Sequence, residues 1–244
     1  MVCNCWCITL SDDETIISFD VTALFPSIPV EVAIEAIRTH LRNNNIFEEH
    51  ISVYTKAIEK CMQYNCFQFR GAFYKNSFGC SMGNSLSPLV AEAFMSKFEE
   101  DLHKQGLLPK IWCRYVDDVF AIVKKVDVQG LLNTLNSCFD SVQFTAELPD
   151  NNCSLPFLDV LVKQADNKLQ FSVYRKPTTT MRYITNDSFC SYQNKVAAFH
   201  SMVYRLVRLP LSVADFKAEY EQIIKIADVN GFDKTLVDTL VHKH

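Results

Sequence analysis

Three carboxylates define the chemistry that this 244-residue sequence could do. Tyr115-Val116-Asp117-Asp118 lies between two short apolar runs, Ile111-Trp112-Cys113-Arg114 and Val119-Phe120-Ala121-Ile122-Val123. Runs rich in β-branched and aromatic residues on either side of an Asp-Asp pair predict a hairpin with the carboxylates at its turn. Neighbouring carboxylates repel, and a divalent cation with hard oxygen ligands offsets that repulsion. The plainer reading is a solvated turn, a place Asp favours. Asp20 closes the apolar run Thr15-Ile16-Ile17-Ser18-Phe19, which reads as a buried strand, where an unbound charge is costly. If that strand pairs with the hairpin, Asp20, Asp117 and Asp118 meet at one sheet edge. Three carboxylates so placed can hold two divalent ions about 3.5–4 Å apart, a clamp for the attacking and leaving oxygens of phosphoryl transfer. With one ion activating a 3′-hydroxyl and the other binding a triphosphate, the reaction is nucleotidyl transfer.

The elements that must position these groups follow from periodicity. After the Asp20 strand, Phe25-Pro26-Ser27-Ile28-Pro29 turns the chain, and Ala33, Ile34, Ile37 and Leu41 predict a helix over Val30–Asn43 with Pro29 in its first turn. A second helix is expected from Glu49 to about Gln63, with Ile51, Tyr54, Ile58, Cys61 and Met62 inward. Cys66–Arg70 and Ala72–Lys75, parted by Gly71, read as a hairpin. The small-residue loop 78–88 opens a helix with Ala91, Phe94, Met95, Phe98 and Leu102 on one stripe. Val128, Leu131, Leu132, Leu135, Cys138 and Phe139 predict a helix over Asp127–Phe139, then a strand over 142–146. Leu155–Val162 reads as one strand paired with Leu169–Tyr174 across Asp166-Asn167-Lys168, and from about Asp187 the pattern is helical, broken at Pro210. These patterns place an irregular segment at 1–14, a mixed body at 15–180 and a helical region at 181–244.

At 48% hydrophobic the chain can bury a sizeable core. It has no run of 18 apolar residues, so no membrane span is expected, and Met1–Cys7 lacks the regions of a signal peptide. The ten cysteines include no Cys-x-x-Cys pair, and alternating Cys3, Cys5 and Cys7 have no second Cys/His cluster to complete a zinc site. Reduced thiols in an intracellular protein are expected. Net charge is −4, yet Lys168, Arg175, Lys176, Arg182, Lys195, Arg205 and Arg208 face only Asp187 between 168 and 209, a local balance of +6. With Tyr174, Tyr183, Tyr192 and Tyr204 interleaved, this stretch reads as a nucleic-acid footprint, or more plainly as a solvated basic face.

Phe19-Asp20-Val21-Thr22-Ala23-Leu24-Phe25, Ser81-Met82-Gly83-Asn84-Ser85-Leu86-Ser87-Pro88 and Tyr115-Val116-Asp117-Asp118 resemble, in order and spacing, three successive motifs of the reverse transcriptase palm. Leu155-Pro156-Phe157-Leu158-Asp159-Val160-Leu161, Val173-Tyr174-Arg175-Lys176-Pro177-Thr178 and Arg182-Tyr183 narrow the resemblance to the reverse transcriptases of Penelope-like retroelements. It implies an α+β fold, a palm of antiparallel sheet packed on helices followed by a small helical thumb-like region. It also implies an RNA-directed DNA polymerase that uses two Mg²⁺ ions, with Mn²⁺ as an alternative, deoxynucleoside triphosphates and an RNA/DNA template-primer. In this resemblance Asp20 and Asp117 are the principal metal ligands, Asp118 is a third carboxylate and Val21 offers its main-chain carbonyl. Phe25 matches the steric gate that excludes a 2′-hydroxyl, while Met82, Gly83, Ser87 and Tyr115 border the substrate. The 156–176 hairpin resembles the primer grip, and Arg175, Lys176, Arg182, Lys195, Arg205 and Arg208 would face the duplex backbone. Nuclear action is implied by the family.

The first metal motif begins at residue 20, so the fingers region that precedes it in the family is expected to be missing, as is an endonuclease domain after His244. Two further readings follow: a catalytically inactive truncated remnant that binds nucleic acid or protein, and a different palm-fold nucleotidyl enzyme such as a cyclase. The basic thumb-like segment disfavours the cyclase.

Overall fold

The computed structural model describes residues 8–244, so Cys3, Cys5 and Cys7 lie outside the described residues. The chain falls into two compact units, Asp13–Glu147 and Leu148–His244, the latter together with residues 8–12.

In the first unit the order is β1 (Glu14–Val21), α1 (Leu24–Ser27), α2 (Val30–Asn43), α3 (Glu48–Gln63), β2 (Cys66–Phe69), β3 (Ala72–Lys75), α4 (Ser87–Lys104), β4 (Ile111–Tyr115), β5 (Asp118–Lys124), α5 (Val128–Ser137) and β6 (Phe144–Glu147). Four strands form an antiparallel sheet in the order β4-β5-β1-β6. Strand alternation sends Ile17, Phe19 and Val21 of β1, with Val119, Ala121 and Val123 of β5, into one core with α2, α3 and α4. Phe94, Met95, Phe98 and Leu102 of α4 supply its buried stripe, as their spacing predicts. Truncating a buried ring such as Phe94 to Ala costs about 3–5 kcal/mol.

Several expectations shift. Pro29 is the N-cap of α2 rather than part of its first turn. In α3 the inward residues are Ile51, Thr55, Ile58 and Met62; Tyr54 and Cys61 are exposed, and Thr55 satisfies its hydroxyl on the Ile51 carbonyl at 2.9 Å. In α5, Leu135 is buried, Cys138 is exposed beyond the helix end, and the following strand begins at Phe144 rather than 142.

The second unit contains β7 (Ser154–Phe157), β8 (Val160–Ala165), β9 (Lys168–Val173), α6 (Tyr192–Arg208), α7 (Val213–Val229) and α8 (Lys234–Lys243). Its sheet has three strands, β7-β8-β9, because the run 155–162 folds back on itself at Leu158-Asp159, with Leu158 at φ 53°. Helices α6, α7 and α8 share a second core around Phe199, Val203, Ile223 and Val237. The division between Glu147 and Leu148 falls earlier in the chain than the expected boundary near 180. Two ion pairs and a backbone bridge explain it: Arg175 grips Glu219, Arg205 grips Asp159, and Phe171 and Leu211 form an isolated parallel β-bridge, so the 154–175 sheet region belongs with the helices. The segment 8–12 is held as well: the Leu10 amide donates to the Asn167 carbonyl at 2.9 Å. Among the described residues no helix is long and apolar enough to cross a membrane.

Candidate active site

The face of the β4-β5-β1-β6 sheet opposite the helices carries Ile16, Ser18 and Asp20 on β1 beside Ile122, Phe120 and Asp118 on β5. Along β1 this face grades from buried Ile16 through half-buried Ser18 to exposed Asp20. The buried charge expected at Asp20 is therefore not found; the acid stands at the exposed end of this face. Asp20 lies directly opposite Asp118 in the ladder, which puts their Cβ atoms about 4.5–5.5 Å apart, a like-charge pairing that disfavours the sheet unless a cation intervenes. Asp117 occupies the β4–β5 turn, where the Val21 amide donates to its carbonyl at 3.2 Å.

The backbone thus brings all three acids to one end of two strands. Their side chains do not form a ready cage: among the described residues no three His, Cys, Asp or Glu side chains stand where they could hold a metal ion. Asp117 and Asp118 are successive residues at a turn, so they do not share a strand face, and only Asp118 stands opposite Asp20. The donor set fits a hard divalent cation in kind, carboxylate oxygen.

Sequence reasoning missed the residue that holds this turn. The Arg114 side chain is only 9% exposed. It donates to Glu99 through Nε at 2.7 Å, to Glu92 through Nη1 at 2.8 Å and Nη2 at 3.0 Å, and to the Val116 carbonyl at 3.3 Å. Trp112 Nε1 joins at Glu99, 2.8 Å. Burial alone would lower the Arg114 pKa; the hydrogen bonds it donates to both glutamates outweigh it and hold the pKa above its ordinary value. The same pairing holds Glu92 below the ordinary carboxylate range. Helix α4 is thereby fastened to the hairpin that presents Asp117. The available signal was the i, i+7 spacing of Glu92 and Glu99 on one helix face and a lone cation inside an apolar strand.

The loop before α4 packs on the turn after β1. A Cβ on Gly79 would sit 2.2 Å from the Pro26 carbonyl oxygen, so only glycine allows this approach, and the Cys80 amide donates to the Phe25 carbonyl at 2.7 Å. Phe25 is half-buried against the helix-packed core. Ser87, expected beside substrate, is buried and donates its hydroxyl to the Ser81 carbonyl at 2.5 Å, so it shapes the loop from inside. Met82 and Tyr115 are exposed, and a Cβ on Gly83 would meet nothing within 4 Å. Asn84, not singled out from the sequence, ties the loop to the end of α3 through the Cys61 carbonyl at 3.1 Å. Cys80 lies beneath, its thiol pushed up by burial to about 11.

The profile of the family described as reverse transcriptase (RNA-dependent DNA polymerase) matches residues 7–148, more than half of the chain. The chain belongs to that family. No curated protein matches it by sequence. In structure this reverse transcriptase domain is similar to telomerase from Candida albicans in complex with a fragment of telomeric RNA, with a TM-score of 0.63 at 13% identity, covering 94% of this chain and 40% of that one. It is similar also to apo telomerase from Candida tropicalis, with a TM-score of 0.56 at 13% identity, covering 96% of this chain and 43% of that one. At these identities the likeness carries the fold: the expected α+β architecture of palm and thumb. The chain spans 40% and 43% of the lengths of these two structures.

In the second unit of the reverse transcriptase chain, the six expected backbone contacts divide. Arg175 forks onto the buried Glu219, whose hydrogen bonds raise the arginine pKa, and Arg205 pairs with Asp159. Lys195 Nζ donates to the Asn186 carbonyl at 2.5 Å. Arg208 lies over the Tyr204 ring, 5.4 Å from its centroid, and it, Lys176 and Arg182 are exposed. Internal pairing neutralises two of the seven charges that made the segment basic in sequence.

Proposed function

We propose that this chain is the palm and thumb portion of an RNA-directed DNA polymerase from a Penelope-like retroelement. The observation that carries the reading is the pairing of Asp20 with Asp118 beside the Asp117 turn, within a chain of the reverse transcriptase family. Asp20, Asp117, Asp118 and the Val21 carbonyl would hold two Mg²⁺ ions, or Mn²⁺, which when bound activate a primer 3′-hydroxyl and stabilise charge on leaving pyrophosphate. The chain's own part is alignment. Arg114 fixes the turn, Phe25 stands where a ring beside the sugar rejects ribonucleotides, and Met82, Gly83 and Tyr115 border the incoming deoxynucleoside triphosphate. Of the six expected contacts, Lys176, Arg182 and Arg208 are the exposed cations that would face the template-primer backbone, and nuclear action follows from the element type.

The deciding experiment is primer extension on RNA and DNA templates with Mg²⁺ or Mn²⁺, comparing the chain with Asp117→Asn after matching their unfolding curves. Extension by the natural chain and none by the variant is expected. A folded chain that binds template-primer and extends nothing would instead support the non-catalytic remnant.

A further inference from the structure

Between Glu59 and Glu92 the chain carries no acidic residue, although its net charge is −4; Lys60, Arg70 and Lys75 are its cations. Within this span β2 and β3 form a two-stranded hairpin whose eight residues are all exposed, turned at Arg70-Gly71 with both residues at positive φ. An isolated two-stranded hairpin exposing aromatic rings on water is marginally stable by itself, so the rings await a partner.

The register separates two faces. Phe67 opposes Tyr74 and Phe69 opposes Ala72, so Phe67, Phe69 and Tyr74 share one face. Phe67 and Tyr74 stack with centroids 5.3 Å apart at 15°, and the Arg70 guanidinium lies 5.2 Å from the Phe69 centroid. Phe67 and Phe69 are 60% and 56% exposed. The other face holds Cys66, Gln68, Phe73 and Lys75, and Lys75 also lines a cavity of about 750 Å³ with Glu31 and Glu59.

We infer that the Phe67-Phe69-Tyr74 face is a stacking platform for single-stranded nucleic acid, the unpaired template strand ahead of the primer. Flat rings accept any base, a cation on a ring neighbours the phosphate chain, and the span offers no carboxylate to repel it. The inference deepens the polymerase reading, on which it rests for the identity of the strand.

The test is metal-free fluorescence anisotropy with two labelled duplexes, one blunt and one with a single-stranded template overhang. The natural chain should prefer the overhang. Phe67→Leu with Phe69→Leu, which keeps the strands apolar, should weaken overhang binding by about fivefold or more and leave blunt-duplex binding unchanged. Phe73→Leu, on the opposite face, should change neither. No overhang preference in the natural chain, or a preference kept by the double variant, overturns the inference. So does a double variant that only turns a self-associating chain monomeric, which would make this face a protein contact. Because metal and nucleotide are absent, a chain that fails to extend primers yet loses overhang preference on mutation supports this platform while the polymerase reading falls.

Discussion

The turn Val116-Asp117 between β4 and β5 and the turn Leu158-Asp159 between β7 and β8 are built alike. In each, an aromatic residue ends the first strand and an aliphatic residue takes positive φ, 58° and 53°. In each, the aspartate carbonyl receives a backbone amide, from Val21 at 3.2 Å or Tyr174 at 2.9 Å. An arginine attends both, and here they part. Arg114 takes the Val116 carbonyl and two glutamates, leaving the Asp117 carboxylate with no ion pair among the described residues. Arg205 takes the Asp159 carboxylate itself. The two turns share a shape and differ in what the neighbouring arginine touches.

The comparison predicts its own largest break. Asp117→Asn should lower metal-dependent extension by about a thousandfold or more, since a lost metal ligand removes several kcal/mol from the transition state. Asp159→Asn should leave extension unchanged and reduce stability in urea unfolding by less than about 1 kcal/mol, because the pair is surface-exposed. Equal losses of extension in both variants would mean that turn shape, not the carboxylate, matters.

Next in size are the arginines. Arg114→Ala leaves the mostly buried Glu99 without its cation and should cost about 3–5 kcal/mol, whereas Arg205→Ala should cost under about 1 kcal/mol. Arg175→Ala, which leaves Glu219 buried, should fall toward the lower end of the larger range of about 3–5 kcal/mol. Denaturant midpoints order the three.

Smaller still is the strain. Asn tolerates left-handed backbone, so Val116→Asn and Leu158→Asn should each stabilise by about 1 kcal/mol in thermal unfolding. Only the first should alter extension.

The smallest effect is in pH. Glu92 has a depressed folded pKa, so its stabilisation is complete above the ordinary carboxylate range and is lost as pH falls through the depressed value. Glu92 is largely exposed, so screening keeps the change under about 1 kcal/mol. An acid titration of unfolding free energy should show this limb in the natural chain and lack it in Arg114→Ala.

Much of this was legible in the residues. The Asp20 strand, the Asp117-Asp118 hairpin and α4 declare themselves because one buried face imposes a strict period on each. The β7–β8 turn did not, because Leu158 has none of the side-chain chemistry that marks left-handed backbone. Tyr54 and Thr55 exchanged roles because a helical face is wide enough to admit either neighbour, and the Thr55 hydroxyl hides on its own helix. The Arg114 clamp and the Arg175–Glu219 pair join residues 15, 22 and 44 positions apart, a separation that local patterns do not register. For the same reason the segment read as +6 overstates the charge it offers a partner.

The missing carbon at Gly79 has a consequence for how this domain can change over time. With the Pro26 carbonyl lodged where a side chain would begin, the loop ahead of α4 and the turn that carries Phe25 are geared together. The hairpin between α3 and that loop is tied at its ends, where the Asn76 amide donates to the Asn65 carbonyl at 3.0 Å. A replacement at 79 would be transmitted to the turn that carries Phe25, so that turn can be shifted by a residue more than fifty positions further along the chain.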